Sequence, residues 1–174
     1  MVPAAKTGNS VHAVRQLVSQ DAEAFRDLRL EALRLHPEAF GSTYAVEAAE
    51  PISEFAARIA KGGLFGGFIG SDIMGMAGFL VNGVPQSRHK GRIWGMYVRE
   101  AARGTGLGEA IVEMILEYAA QRVEQVLLSV ASDNLPAISL YQRMGFSVYA
   151  TEPRAMKVGQ KYQDELLMIR FLAK

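Results

Sequence analysis

Cysteine is absent from the 174 residues. That removes disulfides, thiolate metal sites and a cysteine nucleophile from the candidate chemistries. It also leaves no mark of an oxidising destination, so a reducing, cytoplasmic compartment is the default expectation. No apolar run approaches the ~18 residues of a membrane-crossing helix. Met1–Ser10 is polar and lacks the apolar stretch of a secretion signal, so a flexible N-terminus is expected there. Nor is there an excess of one charge. Nineteen Lys and Arg against eighteen Asp and Glu leave a net +1, which makes no electrostatic case for nucleic acid or an anionic membrane surface. Repeats, linkers and low-complexity segments are also missing. A single domain over residues 11–174 is therefore expected, long enough to bury about 70% of its unfolded surface.

What is present is periodicity. Val11–Ser19 reads as a strand. Asp21 reads as the N-cap of a helix with Phe25, Leu28, Ala32 and Leu35 on one face, ended by Pro37. Phe40–Glu50 reads as a polar and aromatic connection, and Pro51 as the start of a short helix facing inward through Phe55 and Ile59. Leu64–Gly70 and Ile73–Val84 read as a hairpin turning at Ser71-Asp72, despite glycines that weaken a strand. Arg92–Val98 is a short central strand. Leu107, Ala110, Ile111, Met114, Ile115 and Tyr118 then mark one face of a strong helix. Val126–Ala131 is a strand, Leu135–Met144 a helix closed by Gly145, and Phe146–Thr151 and Gln163–Leu172 two strands around a basic loop, Pro153–Lys161. The expected architecture is α/β: a mixed, mostly antiparallel sheet of about seven strands with about four helices on its two faces and a β-α-β unit at the centre.

The segment Arg103-Gly104-Thr105-Gly106-Leu107-Gly108 joins a strand to a helix start. Exposed N–H groups there, with the helix dipole, make an anion site suited to a pyrophosphate, and Arg103 adds a forked donor. A tight turn packing a helix onto a sheet explains the glycines equally well. Rival motifs fail on spacing. Nothing matches G-x-x-x-x-G-K-[ST]. G-x-G-x-x-G started at Gly104 meets Glu109 where its third glycine belongs. The methyltransferase pattern G-x-G-x-G fits Gly104, Gly106 and Gly108, but Ala101-Ala102-Arg103 stands where its acidic residue belongs.

Arg103, Gly106 and Gly108 fill the Q/R-x-x-G-x-G/A acetyl-CoA motif, and in this the chain resembles the GNAT superfamily of N-acetyltransferases. Met96-Tyr97-Val98 is similar to the end of that family's fourth strand. Asn134, Tyr141 and Gly145-Phe146 are similar to its later coenzyme motif, about 35 residues on, and the likeness extends over nearly the whole chain. Pro37-Glu38-Ala39-Phe40-Gly41 and Tyr162-Gln163-Asp164-Glu165-Leu166 resemble one bacterial branch.

The resemblance implies that the fourth and fifth strands splay and that pantetheine lies between them. It further implies that the Val98 backbone holds the pantetheine arm, that the Met96 N–H faces the acetyl carbonyl, and that N–H groups of Gly104, Thr105, Gly106, Leu107 and Gly108 hold the pyrophosphate with Arg103. It makes Asn134 a ligand of the coenzyme arm and Tyr141 the proton donor to the leaving thiolate. On the residues alone, Met96 and Val98 are buried strand, Asn134 an N-cap, and Tyr141 a core ring with its hydroxyl at the rim. The implied activity is transfer of an acetyl group from acetyl-CoA to a primary amine, without a metal. An S-adenosylmethionine methyltransferase and a non-catalytic acyl-CoA-binding module are the alternatives.

No general base is legible. Arg92–Val98 carries no carboxylate, while Glu47, Glu50, Asp164 and Glu165 read as solvated acids. The first two lean toward a cationic acceptor if they line its site. His12, His36 and His89 lack metal-ligand spacing, and Arg154, Lys157 and Lys161 read as a solvated basic loop. The acceptor, a small molecule or a protein amine, and a homodimer remain open partners.

Overall fold

Two clusters of turn residues bound a hairpin of near-continuous apolar and glycine residues, and its glycines decide how closely a helix can approach. In the structure, a computed structural model that describes residues 12–173, seven strands form one sheet. They are β1 (His12–Gln16), β2 (Leu64–Ile69), β3 (Asp72–Val81), β4 (Lys90–Val98), β5 (Gln125–Ala131), β6 (Ser147–Val158) and β7 (Lys161–Phe171). Their order is β1-β2-β3-β4-β5-β7-β6. Only β4 and β5 are parallel neighbours; the other pairs are antiparallel. The expected flexible N-terminus and the Val11 strand start lie outside the described residues.

Among the described residues, five α-helices complete the fold: α1 (Ala22–Leu35), α2 (Tyr44–Ala48), α3 (Ile52–Ala60), α4 (Leu107–Ala120) and α5 (Leu135–Arg143). On one face, Phe25, Leu28 and Leu33 of α1 and Phe55 and Ile59 of α3 bury Leu64, Phe68, Ile73 and Met76. On the other, Leu107, Ile111 and Ile115 of α4 cover Phe65, Ala77, Phe79 and Ile93. No helix among the described residues is long and apolar enough to cross a membrane.

Several local expectations need correction. The expected connection Phe40–Glu50 contains the helix α2, capped by Thr43, whose Oγ1 accepts the Val46 N–H at 3.4 Å. The Asp21 carboxylate does not cap α1. It accepts the Val18 N–H and a bidentate pair from Arg15 at 2.6 and 2.8 Å. Leu35 is exposed, and Arg29, Leu30 and Leu33 are buried instead. The hairpin turns at Gly70-Ser71, one residue earlier than expected. The basic loop is strand. β6 runs on to Val158, with a register shift between Glu152 and Met156, and turns at Gly159-Gln160 into β7. An edge strand tolerates Pro153, and Arg154 and Lys157 lie over the Tyr162 ring at 4.9 and 5.2 Å.

The glycines of β2 and β3 serve clearance. A Cβ on Gly67 would stand 2.7 Å from Leu107 Cδ1 and 2.9 Å from Ile111 Cδ1, and one on Gly75 2.8 Å from Ile111 Cδ1. Helix α4 therefore rests on bare backbone. Gly67→Ala is expected to overpack this contact and cost about 1–3 kcal/mol, read as a lower urea midpoint at unchanged slope. An unshifted midpoint would show that Leu107 and Ile111 give way freely.

Candidate active site

The site begins with an extra residue in β4. Across the β3–β4 ladder, Gly78 faces Trp94 but Met76 faces Tyr97, so β4 uses three steps where β3 uses two. Gly95 takes up the difference at φ +64, a left-handed conformation that a side chain would strain. A bulge bends the strand that carries it, and the ladder between β4 and β5 stops short of this one. Their parallel pairing covers only Lys90 with Gln125, Gly91 with Val126 and Arg92 with Leu127, and past it the strands splay.

Backbone polarity follows from strand alternation. The Arg99 N–H donates to the Met74 carbonyl of β3 at 2.8 Å. The N–H and C=O groups of Val98 and Met96 therefore turn the other way, toward the splay. The Val98 carbonyl accepts Nε of Arg103 at 3.1 Å, and Nη2 of Arg103 lies 3.3 Å from Nε2 of His36.

Beyond β4 the chain enters a 3-10 turn, Glu100–Ala102. Thr105 Oγ1 donates to the Ala102 carbonyl at 2.7 Å, which pins the glycine turn. Gly104 and Gly106 stand at φ +74 and +86. Gly106 is the α4 N-cap and carries no capping side chain; the Ala110 N–H donates to its carbonyl at 3.0 Å. The N–H groups of Leu107, Gly108 and Glu109 thus fall at the open end of the helix ladder, where an anion is favoured. The Leu107 side chain is wholly buried, so only its backbone is available.

Gly108 ties three elements together. A Cβ there would stand 2.9 Å from Leu140 Cδ1, 3.5 Å from Met96 Cε and 3.7 Å from Val98 Cγ2. The next residue of α5 is Tyr141, 6% exposed, whose ring meets Phe146 edge-on at 5.9 Å. Burial pushes the Tyr141 phenol above its ordinary range. It therefore keeps its proton throughout neutral pH. Asn134 caps α5, its Oδ1 accepting the Ala137 N–H at 3.3 Å, and its amide N–H groups are not used in the cap. Met96, Val98, Gly108 and the start of Tyr141's turn converge. Arg103–Gly106 sits at the end of β4, and Asn134 lies about 10 Å along α5 from Tyr141, by helical rise.

Of the acids expected to be solvated, Asp164 is exposed, but Glu47 and Glu50 are tied to arginines. Glu47 is 4% exposed and takes Nη2 of Arg29 at 2.7 Å, Nε of Arg29 at 3.0 Å and Nη1 of Arg58 at 3.1 Å. Burial would raise its carboxyl, but Arg29, with help from Ser42 and Arg58, holds it below the usual carboxylate range. Glu50 is bonded to Nη2 of Arg58. Neither is a free base, and the lean toward a cationic acceptor falls with them. Sequence reasoning missed Arg29, although its place one turn from both Phe25 and Leu33 put it on the buried face of α1. It missed also the turn Pro37–Ala39, which crosses from α1 to pack against β5 and β6. Among the described residues, no group of His, Asp or Glu could hold a metal ion.

The sequence profile of the acetyltransferase (GNAT) family matches residues 22–146, and the chain belongs to that family of acyltransferases. It is 33% identical over 91 residues to a mycothiol acetyltransferase of Streptomyces scabiei, covering 52% of this chain and 29% of that protein. It is 35% identical over 68 residues to the L-methionine sulfoximine/L-methionine sulfone acetyltransferase of Pseudomonas aeruginosa, covering 38% of each. The chain thus spans less than a third of the length of the mycothiol enzyme it matches. Among solved structures, a GNAT acetyltransferase from Streptococcus pneumoniae superposes with a TM-score of 0.82 at 20% identity, over 93% of this chain and 99% of that one. The Salmonella typhimurium protein yncA, solved with its cofactor acetyl-CoA, gives 0.82 at 19% identity, over 94% and 95%. These likenesses establish the fold.

Proposed function

We propose that the chain moves an acetyl group from acetyl-CoA to a primary amine by direct attack within a ternary complex. The observation that carries this reading is the β4 bulge. It leaves the Met96 and Val98 backbone groups facing a splay that ends at the glycine turn. An extended pantetheine arm pairs there as an added strand would, and the turn suits a diphosphate, since nothing lies within 4 Å of a Cβ position on Gly104. Arg103 exchanges the Val98 carbonyl for the diphosphate. The Met96 N–H donates to the acetyl oxygen and is worth most once that oxygen bears charge. The amine nitrogen bonds to the acetyl carbon, the carbon–sulfur bond breaks, the Tyr141 hydroxyl gives its proton to sulfur, and the amine proton leaves to water. With no cysteine and no G-x-S-x-G elbow, the chain has no evident nucleophile to carry the acetyl group itself. The names of the mycothiol and methionine sulfoximine enzymes point to a small-molecule acceptor. The cytoplasmic, single-domain reading stands beside this. Nothing favours the methyltransferase alternative.

The test is release of free CoA from acetyl-CoA across a panel of primary amines, with thermal shifts by acetyl-CoA and by S-adenosylmethionine alongside. Acetyl-CoA alone is expected to raise the melting temperature, and turnover to require an amine. Stabilisation by S-adenosylmethionine, or no turnover with any amine, would overturn the reading. Gly106→Val bears on the cradle. A Cβ there meets only His12 Cε1, at 3.8 Å, so the effect comes from a β-branched residue forced to φ +86 rather than from a clash. Acetyl-CoA affinity is expected to fall at least about tenfold, or ~1.4 kcal/mol. Unchanged affinity in the folded variant would remove the turn from the binding site.

A further inference from the structure

Arg29 holds a donor that the fold does not use. Its side chain is buried, at 5% exposure, and its Nε and Nη2 are spent on Glu47. Its Nη1 is also buried and has no hydrogen-bond partner. A charged donor left unpaired in the interior forfeits its hydration without replacement, so it calls for a reason. The guanidinium is fixed by Glu47 and flanked by the rings of Phe40 and Trp94, at 5.1 and 5.9 Å from Cζ. Its free edge is directed at the β4 bulge: a Cβ on Gly95 would stand 3.4 Å from Nη1. Glycine there keeps any side chain from projecting in front of the fork. The next residue is Met96, whose N–H faces the splay.

We propose that Nη1 of Arg29 anchors a carboxylate of the acceptor, so that the acceptor is an amino-acid-like molecule bearing its anionic group close to the reacting amine. This rests on the acetyl-transfer reading. The chemistry of the surroundings supports it. A planar guanidinium fixed on one edge presents the other to a carboxylate oxygen with little further loss of freedom. The carboxylates around it are already matched: Glu47 by Arg29 and Arg58, Glu50 by Arg58, and Glu31 by Arg99 and the Tyr97 hydroxyl. Arg26, one turn before Arg29 on α1, places a further positive charge beside this cluster, with Nη2 on the Ala48 carbonyl at 3.3 Å. A polyamine would find no unmatched acid among these groups, whereas a carboxylate finds an unmatched donor. Phe40 also follows directly on the Pro37–Ala39 turn, which packs against β5 and β6.

The experiment compares each of the nineteen standard amino acids that carry a primary α-amine with its carboxamide and its decarboxylated amine as acceptors for the full-length protein, with free CoA as the readout. At least one free amino acid is expected to exceed both of its analogues about tenfold or more in kcat/KM, mainly through KM. In the double variant Arg29→Met/Glu47→Gln, which removes the buried pair together and so avoids stranding either charge, that preference is expected to shrink to within about threefold. Carboxamides or plain amines used as well as the acids would overturn the proposal, as would a preference that survives in the folded double variant. Acetylation of other amines with no amino acid accepted would overturn it while leaving acetyl transfer standing. No CoA release with any amine would remove both.

Discussion

Tyr141→Phe is expected to lower kcat by about 10²-fold while leaving acetyl-CoA binding nearly unchanged. General acid catalysis contributes roughly 10²–10⁴-fold, and two features put this case at the low end. Burial raises the phenol's pKa, which keeps the proton in place but makes it a weaker acid. The leaving thiol, with a pKa near ~8.5, also departs tolerably without help. The phenyl ring retains the edge-on contact with Phe146, so stability is expected to change by less than about 1 kcal/mol. The measurement is kcat and coenzyme Kd for the variant with an accepted amine. A kcat within about threefold of the parent, with chemistry rate-limiting, would reduce Tyr141 to core.

Glu47→Ala is expected to be the most destabilising single change, by about 3–5 kcal/mol. It strands the buried Arg29 cation, and Arg58, also positive, cannot compensate. Against a total stability of roughly 5–15 kcal/mol, the variant is expected to be partly unfolded at modest urea. A loss below about 1 kcal/mol would show that water reaches Arg29. The same pair gives a pH dependence. Because the folded state holds the Glu47 carboxyl below its unfolded value, the pair's contribution is complete above the ordinary glutamate pKa of ~4.3. It is lost as pH falls from there through the lower folded value. Unfolding midpoints measured between neutrality and acid are expected to drop in that window, and to drop less in Arg29→Met/Glu47→Gln.

Much of the fold could be read along the chain because it is written at short range. The α4 face, the Asn134 cap and the glycine turn each lie within a dozen residues, and the helices cover both faces of the sheet as periodicity requires. What escaped depends on partners far apart in sequence. Glu47 is an ordinary acid until α2 folds it against Arg29, eighteen positions away. β6 is a basic, proline-containing stretch until β7 supplies a ladder and Tyr162 a ring. The extra residue at Gly95 has no local signature, since a bulge exists only by comparison with its neighbour strand. Of the site, the backbone donors and Tyr141 could be placed by motif, whereas the close approach at Gly108 and the spare edge of Arg29 came only from packing.

The three-rung joint between β4 and β5 has a mechanical consequence. The sheet is two plates, β1-β2-β3-β4 and β5-β7-β6, fastened at one corner. At the opposite corner the backbone of β4 faces outward with its hydrogen-bonding positions set by the bulge rather than by a neighbour. An extended guest entering there breaks no rung of the sheet. It adds rungs, and so welds the plates along the edge where the chain itself leaves them apart.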